Sequence, residues 1–227
     1  GVFSVSQFLL DNLARHGVRH RTAHVIPSGV DVRRFAPTEK VPLSCLAVGR
    51  FVEKKAPLTT LRSFAEATAQ RPEARLDFIG DGPLLSPTQA LAAELGVANR
   101  VTFHGSQPHD RVREILQRTQ FFVQHSVTAA DGNTEGLPTA IQEAMACGCI
   151  TVSTRHAGIP EAIDEGETGF LVDEHDAAGF TRAIAAAFAV PDTSAMGSKA
   201  RQVAEERFDN DVLLAKLERE IRRTLGQ

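Results

Sequence analysis

What most restricts the fold of this sequence is a repeated alternation. Short, almost wholly apolar runs are each followed by a stretch whose apolar residues recur at helical spacing. The runs lie at 44–49, 75–80 (RLDFIG), 101–105 (VTFHG), 121–125 (FFVQH), 149–154 (CITVST) and 170–172 (FLV). A strand with one wet face alternates polar and apolar residues, so nearly continuous apolar runs fit strands covered on both faces. Helical spacing fills the gaps from Pro57 to about Gln70, near 84–95, across 109–119, near 137–147, at 159–164 and at 176–188. Alternating strand and helix makes successive strands parallel, because the helix carries the chain back to the same end of the sheet. The expected fold is α/β: a Rossmann-like, doubly wound parallel sheet of about six strands.

The two ends read differently. Residues 193–227 are expected to form C-terminal helices packing on the sheet domain, with Leu214, Leu217, Ile221 and Leu225 as one apolar stripe beneath a charged face. Residues 1–35 do not fit the βα series as a unit. SVSQFLLDNLARHG reads as the end of a strand and one helix, and HVIPSGVDVRRF as a connector turning at Pro27, Ser28 and Gly29. The expected organisation is a remnant or connector from a preceding domain (1–35), the sheet domain (36–192) and the C-terminal helices (193–227).

Composition excludes several classes. A chain of 227 residues, 42% hydrophobic, can bury a full core. A net charge of −3 carries no polyanion signature, so nucleic acid is not an expected partner. No apolar run approaches the roughly 20 residues that cross a bilayer, and the first residues lack the basic n-region of a signal peptide. Cys45, Cys147 and Cys149 form no disulfide or zinc pattern and read as small buried residues of a reducing compartment. The expected location is the cytoplasm. Arg15, His16, Arg19, His20 and Arg21 form a basic cluster, read as a solvated face, with peripheral contact at an anionic inner membrane surface as the sharper alternative.

The polar chemistry concentrates in NTEGLPTAIQEAMAC (133–147), where Glu135 precedes a helix and Glu143 lies inside it. Pro138 suits the first turn, because its missing N–H had no intrahelical acceptor anyway. Gly136 lets the backbone bend sharply and a ligand come close. Free N–H groups and the positive end of the dipole make that helix start an anion site. Thr139 and Glu143 are four apart and share a face, which suits a phosphate over Thr139 and a sugar ring held by Glu143. Glu135 would face the far side of the phosphate. The spacing alone is equally that of two solvated glutamates.

VGRFVEKKAP (48–57) supplies cations. The strand ends at Gly49 and Arg50, and Lys54 and Lys55 follow before the next helix. Open α/β sheets bind ligands beyond the carboxyl ends of their strands. Arg50 and one of the lysines therefore sit where a diphosphate needs neutralising, with no acidic metal-ligand cluster beside them.

As an ordered set, VGRFVEKKAP, FIGDGP, VTFHG, TEGLPTAIQEAMACG, HAGIPEAI and GFLV resemble the C-terminal, donor-binding half of family-four retaining glycosyltransferases, which have the two-domain GT-B fold. The match runs over nearly the whole chain. It implies that Arg50 and Lys55 contact the diphosphate of a UDP- or GDP-sugar beside Gly49, Lys55 because it directly precedes Ala56 and Pro57. Glu135 would contact the donor sugar's hydroxyls, and Glu143 the ribose. The backbone of Gly136, Leu137, Pro138 and Thr139 would meet sugar and phosphate, while His104 and Gly105 lie where the family binds the base. The family uses no metal or other cofactor. Its retention is explained by front-face attack through an oxocarbenium-like state, with the leaving phosphate helping to deprotonate the acceptor. The acceptor, a glycan or lipid-linked sugar, belongs to an N-terminal domain not found here, so the chain is expected to bind donor and not to turn over alone.

Two residues depart from the pattern: Pro138 stands where many members have glycine, and His125 where proline or serine is commoner. Two other readings remain, a nucleotide-sugar 2-epimerase of the same superfamily and a non-catalytic nucleotide-binding module. GDGPLL (80–85) mimics a dinucleotide fingerprint but has Leu85 for its third glycine, and Asp209-Asn210-Asp211 reads as a helix cap rather than a metal motif.

Overall fold

The computed structural model describes residues 1–225. Its centre is a six-stranded, all-parallel sheet: β3 (Val41–Val48), β4 (Arg75–Ile79), β5 (Val101–Phe103), β6 (Thr119–Val123), β7 (Ile150–Thr154) and β8 (Gly169–Val172), in spatial order β5-β4-β3-β6-β7-β8. The chain starts in the middle, builds outward through β4 and β5, then returns to the far side of β3 for β6, β7 and β8. That reversal leaves a crevice at the carboxyl ends of β3 and β6.

Neighbouring residues show why these runs carry no polar alternation. Cys45 and Phe121 face one core with β4, α2 (Pro57–Ala67), α3 (Leu85–Glu94) and α6 (Ala177–Phe188). Leu46 and Phe122, the next residue in each case, face the other core with α4 (His109–Arg118), α5 (Thr139–Ala146) and α7 (Thr193–Arg207). Successive side chains of a strand point to opposite faces, and both faces are covered. Each fully buried phenylalanine contributes on the order of 2–3 kcal/mol by leaving water.

The expected elements are present, with shifted ends. The 121–125 run begins two residues earlier and stops at Val123, leaving Gln124 and His125 to enter the crevice loop. The first strand of the sheet begins at Val41, with a register shift before Cys45. The helix expected over 137–147 spans Thr139–Ala146, because Pro138 has ψ 128°, outside the helical region. The helix expected over 159–164 is a single 3-10 turn, Ile159–Glu161.

The tail is two helices, α7 and α8 (Asn210–Leu225), and its last two expected residues, Gly226 and Gln227, lie outside the described residues. The expected stripe of α8 is not covered: Leu214, Ile221 and Leu225 are exposed, and Leu213 is the buried residue. Asp209 accepts the Asp211 N–H at the start of α8, a capping contact.

At the start of the chain, β1 (Val2–Ser4) and β2 (Ala23–Val25) form a separate parallel pair joined by α1 (Gln7–Arg15). β2 was not expected, since Ala23, His24 and Val25 carry no apolar run. α1 is tied to the main sheet domain through Glu161, whose carboxylate accepts the N–H groups of Gln7 (2.8 Å) and Phe8 (2.9 Å). No helix among the described residues is long and apolar enough to cross a membrane.

Candidate functional site

The carboxyl end of β3 turns at Gly49, runs through Arg50 and Phe51, and makes a 3-10 turn at Glu53–Lys55 before α2. A side chain at Gly49 would press on the Lys55 stem, with a Cβ 3.1 Å from Lys55 Cε. Glycine here lets Lys55 lie back across the strand end. The Gly80 of FIGDGP is explained likewise: its Cβ would stand 1.9 Å from the Gly49 carbonyl oxygen. The glycines that mimic a dinucleotide fingerprint serve the close approach of two loops.

Lys55 is nearly buried. Burial pushes its pKa down, and the nearby Glu135 carboxylate pulls the other way. Lys55 Nζ lies 3.3 Å from Glu135 Oε2. The Gln124 amide, with its nitrogen donating to Val48 O (3.0 Å), accepts from Lys55 Nζ (3.2 Å) and Ser126 Oγ (2.9 Å). Lys54, set aside in the sequence, reaches the same carboxylate: its Nζ is 3.4 Å from Glu135 Oε1 and donates to Asn133 Oδ1 and the Thr134 carbonyl.

Arg50, Lys54, Lys55 and Glu135 line one cavity of about 380 Å³, with Glu53 and Asn133 among its other walls. The structure thus brings Arg50, Lys55 and Glu135 to one cavity, while Glu143, His104 and Gly105 lie outside its lining. Glu135 Oε1 is buried and makes no hydrogen bond, the Lys54 ammonium standing off at 3.4 Å.

The loop that carries Glu135 is held from two sides. Glu53 accepts the Ala130 N–H, and the Lys54 carbonyl accepts the Val127 N–H. On the far side, Glu174 Oε2 accepts the Thr128 N–H at 2.6 Å, and Glu174 Oε1 lies 2.7 Å from His156 Nδ1. Burial pushes the Glu174 pKa up, but the Thr128 N–H and the His156 ring outweigh it, and the carboxyl sits below its ordinary value. His156, fully buried, accepts the Glu135 N–H on Nε2 at 3.0 Å.

The α5 start departs from expectation in two details. Gly136 has no positive φ, and its missing Cβ makes room for Val5 and Leu9 at 3.1 Å, side chains of the first residues of the chain, not a sharp bend. Pro138 is the N-cap residue rather than the first helical one, so Thr139 and Ala140 offer the first free N–H groups. Leu137 is buried in the core, leaving only its backbone for a ligand. On α5, Glu143 accepts a contact from His109 Nε2 at 2.9 Å. At the end of β5, His104 Nε2 is 2.7 Å from Asp77 Oδ1, and Gly105, at φ +65°, accepts the Gly80 N–H.

Gln124, His109, His156 and Glu174 escaped sequence reasoning. Each acts across the fold rather than within a local spacing. Gln124 stood in the quoted run FFVQH and His156 in HAGIPEAI, neither singled out there.

His125 is buried edge-on against Phe180, its ring nitrogens unpartnered and its pKa pushed down to about 4 by burial first, then by His175. The three cysteines are free and buried, which raises their pKa values. A larger cavity, about 500 Å³, lies at the opposite end of the sheet. Its cations are spent: Lys40 donates to the Cys147 carbonyl, and Arg201 to the carbonyls of Phe35, Val32 and Ala146. Among the described residues, no group of three or more His, Cys, Asp or Glu side chains is gathered to hold a metal ion.

Residues 33–203 match the family model described as glycosyl transferases group 1. The chain is 32% identical over 216 residues to the putative colanic acid biosynthesis glycosyltransferase WcaL of Escherichia coli (strain K12), covering 92% of this chain and 53% of that protein. It is 31% identical over 199 residues to the GDP-mannose-dependent alpha-(1-6)-phosphatidylinositol monomannoside mannosyltransferase of Mycolicibacterium smegmatis, covering 81% of this chain and 52% of that protein. The chain spans about half the length of these curated relatives. Among solved structures, Anabaena Alr3699/HepE in complex with UDP-glucose superposes with a TM-score of 0.84 at 20% identity, over 96% of this chain and 62% of that one. The pneumococcal O-GlcNAc transferase GtfA, in complex with UDP and GlcNAc, gives 0.83 at 18%, over 100% of this chain and 46% of that one. The fold is the Rossmann-like parallel sheet of GT-B glycosyltransferases, and the chain belongs to the glycosyl transferases group 1 family.

Proposed function

We propose that this chain binds the nucleotide-sugar donor of a retaining hexosyltransferase, a UDP- or GDP-sugar, at the carboxyl ends of β3 and β6 and without a metal. The observation that carries the reading is the convergence of Arg50, Lys54, Lys55 and Glu135 on one cavity at the point where the strand order reverses. Arg50, exposed at the cavity mouth, and the nearly buried Lys55 neutralise the diphosphate as it leaves. The buried Oε1 of Glu135, ion-paired with Lys54 but making no hydrogen bond, accepts a hydroxyl of the transferred sugar. Glu143 exchanges its His109 contact for the ribose diol, the 136–139 backbone meets sugar and phosphate, and His104 and Gly105 flank the base.

In the transfer, the C1–O bond to the diphosphate breaks and the acceptor oxygen bonds C1 on the same face. The acceptor proton passes to the leaving phosphate. The acceptor, a glycan or lipid-linked sugar, belongs to the part of the relatives that this chain does not span, with residues 1–35 as connector, 36–192 as the donor domain and 193–227 as helices packing on it. Cytoplasmic nucleotide sugars suit this assignment, and the exposed Arg15, Arg19 and Arg21 suit peripheral contact with an anionic inner membrane face.

Calorimetric titration of UDP, GDP, UDP-glucose, UDP-N-acetylglucosamine and GDP-mannose, each with and without EDTA, tests the reading. One nucleotide is expected to bind and one of its sugars to bind more tightly. Binding that vanishes in EDTA contradicts metal independence, and no binding of any of the five contradicts the donor site.

A further inference from the structure

We propose that His156 and Glu174 are positioning residues that fix the Glu135 carboxylate in place, forming a relay from the β8–α6 loop through the β7 loop to the Glu135 backbone. The inference rests on the reading that Glu135 faces the donor sugar, and the geometry beneath it stands independently. A backbone N–H can only donate, so the 3.0 Å contact from Glu135 N makes His156 Nε2 the acceptor. The ring proton therefore sits on Nδ1 and is donated to Glu174, 2.7 Å away. Glu174 in turn accepts the Thr128 N–H. One buried imidazole and one carboxylate thus pin the loop at 128 and at 135, its two ends.

A second bond completes the clamp. The Gly158 N–H donates to the Gly136 carbonyl at 2.8 Å, so Glu135 and Gly136 are gripped from both sides by residues 156–158. The fit is tight, since a Cβ on Gly158 would stand 2.7 Å from that carbonyl oxygen.

Backbone strain marks the same residues. Among the described residues, four non-glycine residues have positive φ: Leu43, Ala56, Ala157 and His175. Three of the four directly follow Lys55, His156 and Glu174, one on each loop around Glu135. Left-handed backbone at alanine and histidine persists only where the surroundings impose it, and such strain concentrates at sites that must hold a geometry. Ala56 closes the 3-10 turn Glu53–Lys55 as its C-cap, whereas Ala157 and His175 lie in the loops after β7 and β8.

The consequence for specificity follows from what the clamp leaves alone. Arg50 and Lys55 are placed by the β3–α2 turn, so the nucleotide diphosphate should bind without the relay. The hydroxyls of the sugar should be felt only with Glu135 held.

The test compares wild type with His156→Leu, His156→Gln and Glu174→Gln. Calorimetry measures UDP and GDP, and then UDP-glucose, UDP-N-acetylglucosamine and GDP-mannose. Hydrogen exchange follows the 126–136 loop, with β3 as internal reference. In His156→Leu and Glu174→Gln, loop exchange is expected to rise about three- to tenfold, as for one lost hydrogen bond, while β3 is unchanged. Nucleotide affinity is expected to persist, and the extra affinity conferred by the sugar to disappear. His156→Gln keeps an amide donor and an acceptor, and is expected to restore part of both.

Unchanged loop exchange, or an unchanged sugar increment in both disruptive variants, overturns the proposal. Should His156→Leu fail to melt cooperatively, Glu174→Gln, which is half-exposed and conservative, decides alone. Wild type that binds no nucleotide refutes the donor reading instead, and loop exchange then judges the clamp without it.

Discussion

Lowering the pH from about 7.5 to about 5 should cost this protein more stability than its surface charges account for, and His125 is the reason. Its ring is buried against Phe180, and both nitrogens lack partners. Protonation in the folded state would bury an unpaired charge, so the pKa falls from 6.5 to about 4. The unfolded chain takes up the proton near 6.5 and the folded one does not, so stability is complete above that pH and declines between 6.5 and about 4. At about pH 5 the unfolded state is almost fully protonated at this ring and the native state about one-tenth protonated. The linkage then amounts to about 2 kcal/mol. For a domain of this size that is a fall of roughly 4–8 °C in Tm. Urea unfolding of wild type and His125→Leu at the two pH values isolates the effect, because every other titrating group, Glu174 included, is common to both proteins. The wild type should lose about 2 kcal/mol more than the variant. Parallel losses would refute the argument that His125 is a desolvated, unpartnered base.

Other perturbations follow from the same geometry. Gly80→Ala drives a Cβ to 1.9 Å from the Gly49 carbonyl oxygen and should destabilise by about 2 kcal/mol or more, visible in thermal melts. Lys55→Met leaves Glu135 with Lys54 alone. The double variant with Glu135→Gln should recover part of the loss, giving a coupling of about 1–3 kcal/mol in urea titrations, and strict additivity would count against the pair. Glu161→Ala removes the acceptor for the first two N–H groups of α1, so hydrogen exchange at Gln7 and Phe8 should accelerate while β6 stays protected.

How far the sequence discloses this molecule depends on the range of the forces involved. Strand centres such as Phe121–Val123 were legible because burial on both faces leaves them no polar position, and each helix between them keeps its own period. Their ends were less so: Pro138 admits either the N-cap or the first helical place, and ψ decides between them. The strand Ala23–Val25 left no mark, since its partner is a single three-residue strand and none of its three side chains is fully buried. In the site, Arg50, Lys55 and Glu135 were legible from strand-end chemistry and resemblance. Gly136 was read as a sharp bend, but its φ is not positive, and the space beside it is filled by Val5 and Leu9, 127 or more residues earlier in the chain. His156 stayed hidden for the same reason: its partners, Glu135 and Glu174, lie 21 and 18 residues away on different loops. Long-range hydrogen bonds leave no period in a sequence.

The central claim is that the cations at the end of β3 and the carboxylate on α5 form one nucleotide site. Isothermal titration of the tighter-binding of UDP and GDP onto wild type, Arg50→Ala, Lys55→Ala and Glu143→Ala, in EDTA, tests it most directly. Wild type is expected to bind, and each variant to lose about tenfold or more, the scale of one charge-assisted contact. Equal affinity across all four proteins, each melting cooperatively, would contradict it.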